Sequence, residues 1–529
     1  MIMKQLSTSE LNSLSKEDLA AIVLQQQQMI NSLVEKVAIL DMRSYGRSTE
    51  KLSAMPGQIN FFNEADAEAD ESAEEPTIED IVVRKKKKKG QRKDDLSKLP
   101  VRIETHELTE QQLAEIYGEN GWKRLPDEVY PRVEHKPSVK EVVEHHVAVY
   151  AGKKIDKIVK APRPADLLRN SVATPSLVAA IMNAKYTNAV PLYRISQEYA
   201  RCDLNLSRAT MSNWVIRCSE RYLSLVYDRL LEHLCQQKVL QVDETPCQVT
   251  KDGRARKEGR GSTAKSYMFV YRTSELSTTS PVILYKYEKT RSPRHVVEFL
   301  KGFSGILESD AFSGYKSLDK NEENIQAAFC WVHARRDFAT ARKVMKGLEQ
   351  KPPVGSTADI ALKLIASIYK AENGLKKLSA EERQISRQKE VMPLVEAYFA
   401  WVRQQDIASI SSEKTRQALQ YSLNQEKFLK VFLENGEVPI DNSATERSIR
   451  PFAVGRSNWH IIDTVHGAQA SAIIYSLVET AKANDLRIYE YLEHLLTEIP
   501  KHMDDKDLGF IEDLLPWSEA LPQRCHKSK

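Results

Sequence analysis

The sequence predicts an α/β protein whose core is a mixed sheet flanked by helices. Three observations predict it. Between Lys238 and Val332, five short runs rich in Val, Ile, Leu, Tyr and Phe are separated by turn residues, which is the pattern of strands. Three of these runs follow one another, and then strand and helix alternate, with a helix over Arg294 to Leu300 before the fourth. Direct succession suits antiparallel neighbours, and an intervening helix suits a parallel crossover. Finally, Thr357 to about Asn435 is helical throughout, with Ile360, Leu364, Ile365 and Ile368 on one face, and so forms an inserted helical domain.

At 529 residues the chain is too long for one ordinary domain, and length alone suggests roughly three or four. The net charge of +4 is mild. Its distribution is more telling: Glu64 to Asp80 holds nine acids, and Arg84 to Lys93 is almost entirely basic. Such blocks are usually solvated tethers. No apolar run approaches the ~20 residues of a membrane helix. Met1 to Ser7 has no apolar core of signal-peptide length, so no export signal or membrane partner is expected. Cys202, Cys218, Cys235, Cys247, Cys330 and Cys525 are scattered, which suits a reducing cytoplasm and no disulfide framework.

From the N-terminus, Leu19, Val23, Gln26, Ile30, Leu33, Val37 and Leu40 alternate by four and three. This heptad seam predicts a parallel two-stranded coiled coil with Gln26 fixing register, or else an amphipathic helix packed on its own chain. A charged linker runs to about Asp95. Leu99 to about Lys160 is polar and strand-rich, and Val142 to Tyr150 is its clearest strand. Adjacent His145 and His146 would face opposite sides of that strand, so they are not expected to share a metal. Val190 to Ala200 reads as one helix, and Ser207 is a good N-cap for a second beginning at Arg208. Helix, short turn and capped helix make a helix-turn-helix pattern, in which Arg208, Thr210 and Ser212 could reach bases or phosphates.

The strand over Lys238 to Val242 ends in Asp243, and Thr245-Pro246 is expected to stop it. An acid ending an apolar strand is costly to bury without a partner such as a metal. Asp310 closes the strand Gly305 to Asp310, and Glu446 sits in Asp441 to Pro451. Asp243, Asp310 and Glu446 together could cradle two Mg²⁺ ions, which activate water and stabilise a leaving oxygen in phosphodiester chemistry. Each acid also has a bland role. Asp243 could cap a strand, Asp310 could begin a turn, and Glu446 could complete a capping box with Ser443 in a helix limited by Pro451. Glu244 is expected on the opposite side of the strand from Asp243, unless the strand has ended there. The fifth strand, Ala327 to Val332, runs into His333 to Phe338, and Cys330 with His333 reads as structural.

Several long motifs resemble the large transposase of the insertion-sequence sixty-six family, bacterial mobile elements of the Asp-Asp-Glu type. They are Val242-Asp243-Glu244-Thr245-Pro246, Ser309 to Tyr315, Cys330 to Arg336, Ile440 to Pro451 and Ile474 to Lys482, with Gly46 to Leu52 and Lys185 to Arg194 also similar. The resemblance implies an RNase H-like catalytic fold with a helical insertion before the Glu. It places the metal triad on Asp243, Asp310 and Glu446, with Mg²⁺ as cofactor and Mn²⁺ as a substitute. It implies binding to terminal inverted repeats and target DNA, metal-dependent cleavage and strand transfer, and small companion proteins of the same element. The protein would be a homo-oligomer in the bacterial cytoplasm, associated with the nucleoid. A catalytically silent DNA-binding derivative and an RNase H-like nuclease are the alternatives. Arg335, Arg336, Arg447 and Arg450 are candidates for phosphate, which the arginine fork matches, and Lys482 joins them as a DNA contact.

The expected organisation is a coiled coil over 1–52, a linker over 53–95, a small domain over 96–165 and a helix-turn-helix region over 166–228. The catalytic core follows over 229–350 and 437–499, interrupted by the insertion over 351–436 and followed by a tail over 500–529. Members of the family commonly carry a Cys-rich zinc segment in the small domain. Here no Cys precedes Cys202, so no zinc is expected.

Overall fold

A computed structural model describes residues 15–44, 111, 140–151, 158–160, 166–254, 262, 264–311, 313–321, 324–349 and 355–527. The chain divides into two compact units, one formed by Met1–Asp70 with Asp166–Lys527 and the other by Glu71–Ala165 with Ser528–Lys529. The linker, most of the small domain and Phe312 lie outside the described residues.

In chain order, α1 is Lys16–Ser44, β1 Val149–Ala151 and β2 Ile158–Lys160. Four helices follow: α2 (Pro175–Met182), α3 (Leu192–Ala200), α4 (Arg208–Cys218) and α5 (Ser224–Cys235). The core then runs β3 (Val239–Lys251), β4 (Lys265–Thr273), β5 (Ile283–Glu288), α6 (Pro293–Phe299), β6 (Gly305–Ser309), α7 (Ser313–Asn321), β7 (Ile325–Phe329) and α8 (Trp331–Glu349). The insertion comprises α9 (Thr357–Gly374), α10 (Ala380–Ser386), α11 (Met392–Arg403) and α12 (Glu413–Leu429). The chain returns through α13 (Ser443–Trp459), β8 (Ile462–Thr464), α14 (Val465–Ala483) and α15 (Ile488–Glu498). Among the described residues no helix is long and apolar enough to cross a membrane.

The sheet order is β5-β4-β3-β6-β7, with β8 paired to the far end of β3. β5, β4 and β3 are antiparallel neighbours, whereas β3, β6 and β7 are parallel. Direct connections gave the first set and helical crossovers the second, as the spacing of the apolar runs predicts. β3 is central, and Val239, Leu240 and Val242 are buried to within 1%. At the start of β6 only a glycine fits, because a Cβ on Gly305 would overlap the carbonyl of Lys238. The outer strand β5 is covered rather than left open to another chain. Ser476 and Thr480 of α14 accept the Tyr285 and Ile283 amides at 2.7 and 2.9 Å.

Four expected boundaries move. β3 does not stop at Thr245-Pro246 but continues to Lys251. β6 pairs with it only through Gln241 and β8 only from Val249, so Pro246 sits where one side of β3 has no partner needing its missing N–H. β7 ends at Phe329, and Trp331 opens α8 instead of extending the strand. Trp331 is fully buried against Tyr398, Phe399 and Phe432 and donates from Nε1 to the Leu429 carbonyl at 2.8 Å, tying the core to the insertion. Pro451 lies inside α13; beyond it Phe452 packs against Trp459 and Tyr475, which holds the helix together past the lost hydrogen bond. In the second unit, only Val149–Ala151 of the expected strand pairs, with Ile158–Lys160. Val142 and Val143 are exposed and have no strand partner among the described residues.

Helix α1 packs on its own chain, but not through the seam. Val23, Ile30, Leu33, Val37 and Leu40 are 53–61% exposed. A different edge docks on the insertion: buried Glu35 accepts from the Glu413 amide at 2.6 Å and the Ser412 hydroxyl at 2.8 Å. A carboxylate at the N-terminus of α12 satisfies amides that lack helical partners and complements the helix dipole.

Candidate active site

Asp243 and Asp310 emerge at one edge of the sheet. β3 carries Asp243 two residues past its last bond to β6, and Asp310 follows the final residue of β6. Parallel neighbours therefore deliver both carboxyl groups to the same end. Ligand oxygens of Asp243, Glu244 and Asp310 lie within 4.8 Å of one another, the one such group of His, Cys, Asp and Glu residues among the described residues.

Glu244 departs from the expectation that it faces away. Past Gln241 the parallel neighbour β6 has gone, so side chains from both faces of β3 can turn into the space at its edge. The Glu244 amide also donates to Oδ1 of Asp243 at 2.8 Å, which binds the two residues into one local arrangement. The Glu244 carboxylate accepts from Arg291 and from the Tyr315 hydroxyl. Arg291, in turn, reaches Oδ2 of Asp310 at 3.2 Å. Neither Arg291 nor Tyr315 was singled out as functional from sequence. Tyr315 belongs to the Ser309 to Tyr315 motif, whereas Arg291 has no local signal beyond following β5.

Glu446 lies in the first turn of α13, outside the group of three close carboxylates. Its charge nonetheless reaches Asp243, and its carboxylate faces Arg336 at 3.5 Å. The capping box does not form. Asn442, not Ser443, occupies the N-cap position, and the Ser443 amide donates to Asp441 at 3.0 Å. Asn442 is itself held by bonds to the Val242 carbonyl at 2.8 Å and the Cys330 sulfur at 3.2 Å. The start of α13 is thus tied to β3 beside Asp243. Below it, Gln241 donates to Glu308 at 2.8 Å and to Asn442 at 3.2 Å, so one buried amide links β3, β6 and α13.

Electrostatics follow from this crowding. Burial, then the charge of Glu244, then those of Asp310 and Glu446, push Asp243 up to about 8. Burial also raises Glu244, against the opposing pull of Tyr315 and Arg291. A carboxyl that resists ionisation beside other carboxylates is one whose negative charge lacks compensation. A divalent cation could supply that compensation, and an all-oxygen donor set is one that hard cations favour. Cys330 is buried and His333 half-buried, and removal from water lowers His333 to about 4.

The remaining candidates are distributed around this centre. Exposed Arg336 and half-buried Arg335 lie on α8. On α13, Arg447 pairs with Glu275 at 2.9 Å, and burial lowers Arg450. Lys482 pairs with Glu479 at 2.8 Å in the last turn of α14 beside β5, two strands away from Asp243. The expected helix pair is present as α3 and α4, with Ser207 capping α4 through the Thr210 amide at 3.0 Å. The Thr210 hydroxyl is bonded to that of Ser207 and so belongs to the cap. The solvent face of α4 carries Arg208, Asn213 and Arg217, with Ser212 at its margin. Arg208 lies 5.5 Å from the Tyr193 ring centroid. Asn213 and Arg217 were missed; their spacing of four from each other would have placed them on one face.

Comparisons with known proteins bear on this arrangement. Residues 170–470, more than half of the chain, match the family described as Transposase IS66 family. Residues 476–517 match the IS66 C-terminal element, and residues 32–103 match Transposase C of IS166 homeodomain. The last match lies upstream of α3 and α4, mostly outside the described residues. Similar curated proteins include uncharacterized protein y4qI of Sinorhizobium fredii (strain NBRC 101917 / NGR234), 29% identical over 380 residues, or 70% of this chain and 67% of the relative. Uncharacterized protein y4jD of the same strain is 29% identical over 373 residues, 69% of this chain and 70% of its own. Uncharacterized protein y4hP is 25% identical over 408 residues, 76% and 72% respectively.

Proposed function

This chain belongs to the IS66 transposase family, and from that premise we propose that it binds the ends of its insertion sequence, cuts DNA there and joins it to a target. The sheet order and strand directions fit an RNase H-like core with α9 to α12 inserted before the last acid. Asp243, Asp310 and Glu446 are the proposed ligands of divalent metal, Mg²⁺ or Mn²⁺. When bound, such ions activate water and stabilise the leaving oxygen of a phosphodiester. The chain's own residues hold that centre: β3 and β6 fix the two aspartates, and the Gln241–Asn442 bond fixes the start of the helix that carries Glu446. Arg335, Arg336, Arg447 and Arg450 are the proposed phosphate contacts. Arg208 and Ser212, joined by Asn213 and Arg217, are the proposed contacts to element ends. The exposed seam of α1 is the proposed homodimer contact, and the work is done in the cytoplasm, where the DNA is.

The observation that carries this reading is the convergence of Asp243 and Asp310 at the edge of adjacent parallel strands, with the charge of Glu446 felt there. The experiment is incubation of purified protein and Mg²⁺ with labelled duplexes bearing the element's own terminus or a scrambled one. Cutting confined to the terminus, and abolished by chelation, is expected. Binding without cutting would mark a silent derivative, and cutting of both duplexes alike would mark a nuclease.

A further inference from the structure

One cation bridges two of the crowded carboxylates. Arg291 contacts Glu244 through Nε and Nη2, and its Nη2 lies 3.2 Å from Oδ2 of Asp310. The two acids differ in how firmly they are committed. The Glu244 side chain is 1% exposed, and its second oxygen accepts from the Tyr315 hydroxyl. The Asp310 side chain is 22% exposed, and its bond to Arg291 is the longer one. A buried carboxylate keeps its cation, because losing it would leave an uncompensated charge out of water. A partly exposed pair is weak and exchangeable.

We propose that Arg291 is the resident counter-cation of the carboxylate site, a positioning residue fixed to Glu244 that holds Asp310 and yields it to divalent metal. The proposal rests on Asp243, Asp310 and Glu446 being the metal ligands. Three carboxyl groups with oxygens within 4.8 Å repel one another when ionised. A guanidinium does not lose its proton at any working pH, so Arg291 offsets that repulsion continuously. Metal and guanidinium compete for Oδ2 of Asp310. Removing Arg291 therefore has opposite consequences for the two forms: the metal-free protein loses stability, and metal binding gains affinity. An arginine with only a structural role would weaken both forms alike.

The test is thermal unfolding and Mg²⁺ titration of the full-length protein, comparing wild type with Arg291→Met, Arg291→Lys and Asp310→Asn. Arg291→Met is expected to melt below wild type in chelator, because buried Glu244 loses its cation, and the gap should narrow but not close in saturating Mg²⁺. Its dissociation constant for Mg²⁺ should fall about fivefold, the ratio that a partly exposed ion pair of about 1 kcal/mol corresponds to. Arg291→Lys keeps the charge but not the fork that spans both acids, so it should tighten Mg²⁺ by a smaller factor, and it carries the test if Arg291→Met does not fold. An unchanged or weaker Mg²⁺ affinity in the Arg291 variants overturns the proposal. The metal reading stands separately if wild type is stabilised by Mg²⁺ and Asp310→Asn is not. A wild type indifferent to Mg²⁺ would overturn both.

Discussion

Leu33→Lys combined with Val37→Lys should separate the protein into monomers without unfolding it. Both side chains are 55% exposed on the isolated chain, so the fold of one chain gives up little when they change; surface substitutions usually lie within about 0.5 kcal/mol. In a paired seam the same side chains would be withdrawn from water. Pairing buries only the remaining half or so of each, about half of the roughly 1.5–3 kcal/mol of full burial, so the two positions in both chains contribute about 3 kcal/mol or more to association, at least about two orders of magnitude in the dissociation constant. Lysines facing each other across the seam add repulsion. Glu35, on the docking edge, is left in place, so α1 should stay attached to α12. The assay is sedimentation of the full-length protein at micromolar concentration, with the melting temperature measured alongside. A double variant that sediments as wild type does, or a wild type that is already monomeric, would refute the seam.

Three further outcomes are expected. Glu446→Gln should lower DNA cleavage by more than about a hundredfold, the upper end of what losing even an outer partner of a metal costs. Its 3.5 Å pair with Arg336 is half-exposed and worth under about 1 kcal/mol, so the melting temperature should barely move; a large fall in stability with activity retained would return Glu446 to a purely structural role. Arg208→Ala and Asn213→Ala should each weaken binding to element ends more than to unrelated duplex, by about 1–3 kcal/mol if they read bases, as a competition binding assay would show; equal losses on both duplexes would assign them to phosphate. With Asp243 held up to about 8 by burial and by Glu244, its proton competes with Mg²⁺. Affinity should therefore rise with pH, approaching about tenfold per unit, and level off above about 8; calorimetric titration at several pH values giving a flat profile would contradict this.

Much of the fold was legible because it depends on local pattern. The apolar run Val239 to Val242 announces the central strand, and Ser207 announces α4. The boundaries that moved depend on neighbours distant in sequence. Pro246 stays in a strand because β6 ends and β8 begins on either side of it. Trp331 is helical and buried because the insertion returns to cover it. The site shows the same division. Asp243, Asp310 and Glu446 stood out by setting and motif, but alternation along a strand gave the wrong side for Glu244, whose environment is made by Arg291 and Tyr315 from other elements. Glu35 was invisible for a related reason: a heptad marks the apolar seam of a helix, not an acid on another edge that finds the start of α12.

The most direct test of the metal-dependent triad is cleavage of a labelled element end by wild type, Asp243→Asn and Asp310→Asn, assayed side by side in Mg²⁺, with end binding and melting temperature measured on the same preparations. Both substitutions keep side-chain size and remove one negative ligand. Cutting by wild type, and none by either folded, end-binding variant, is the expected result. Cutting by Asp243→Asn or Asp310→Asn at a rate near wild type would contradict the assignment of the acids.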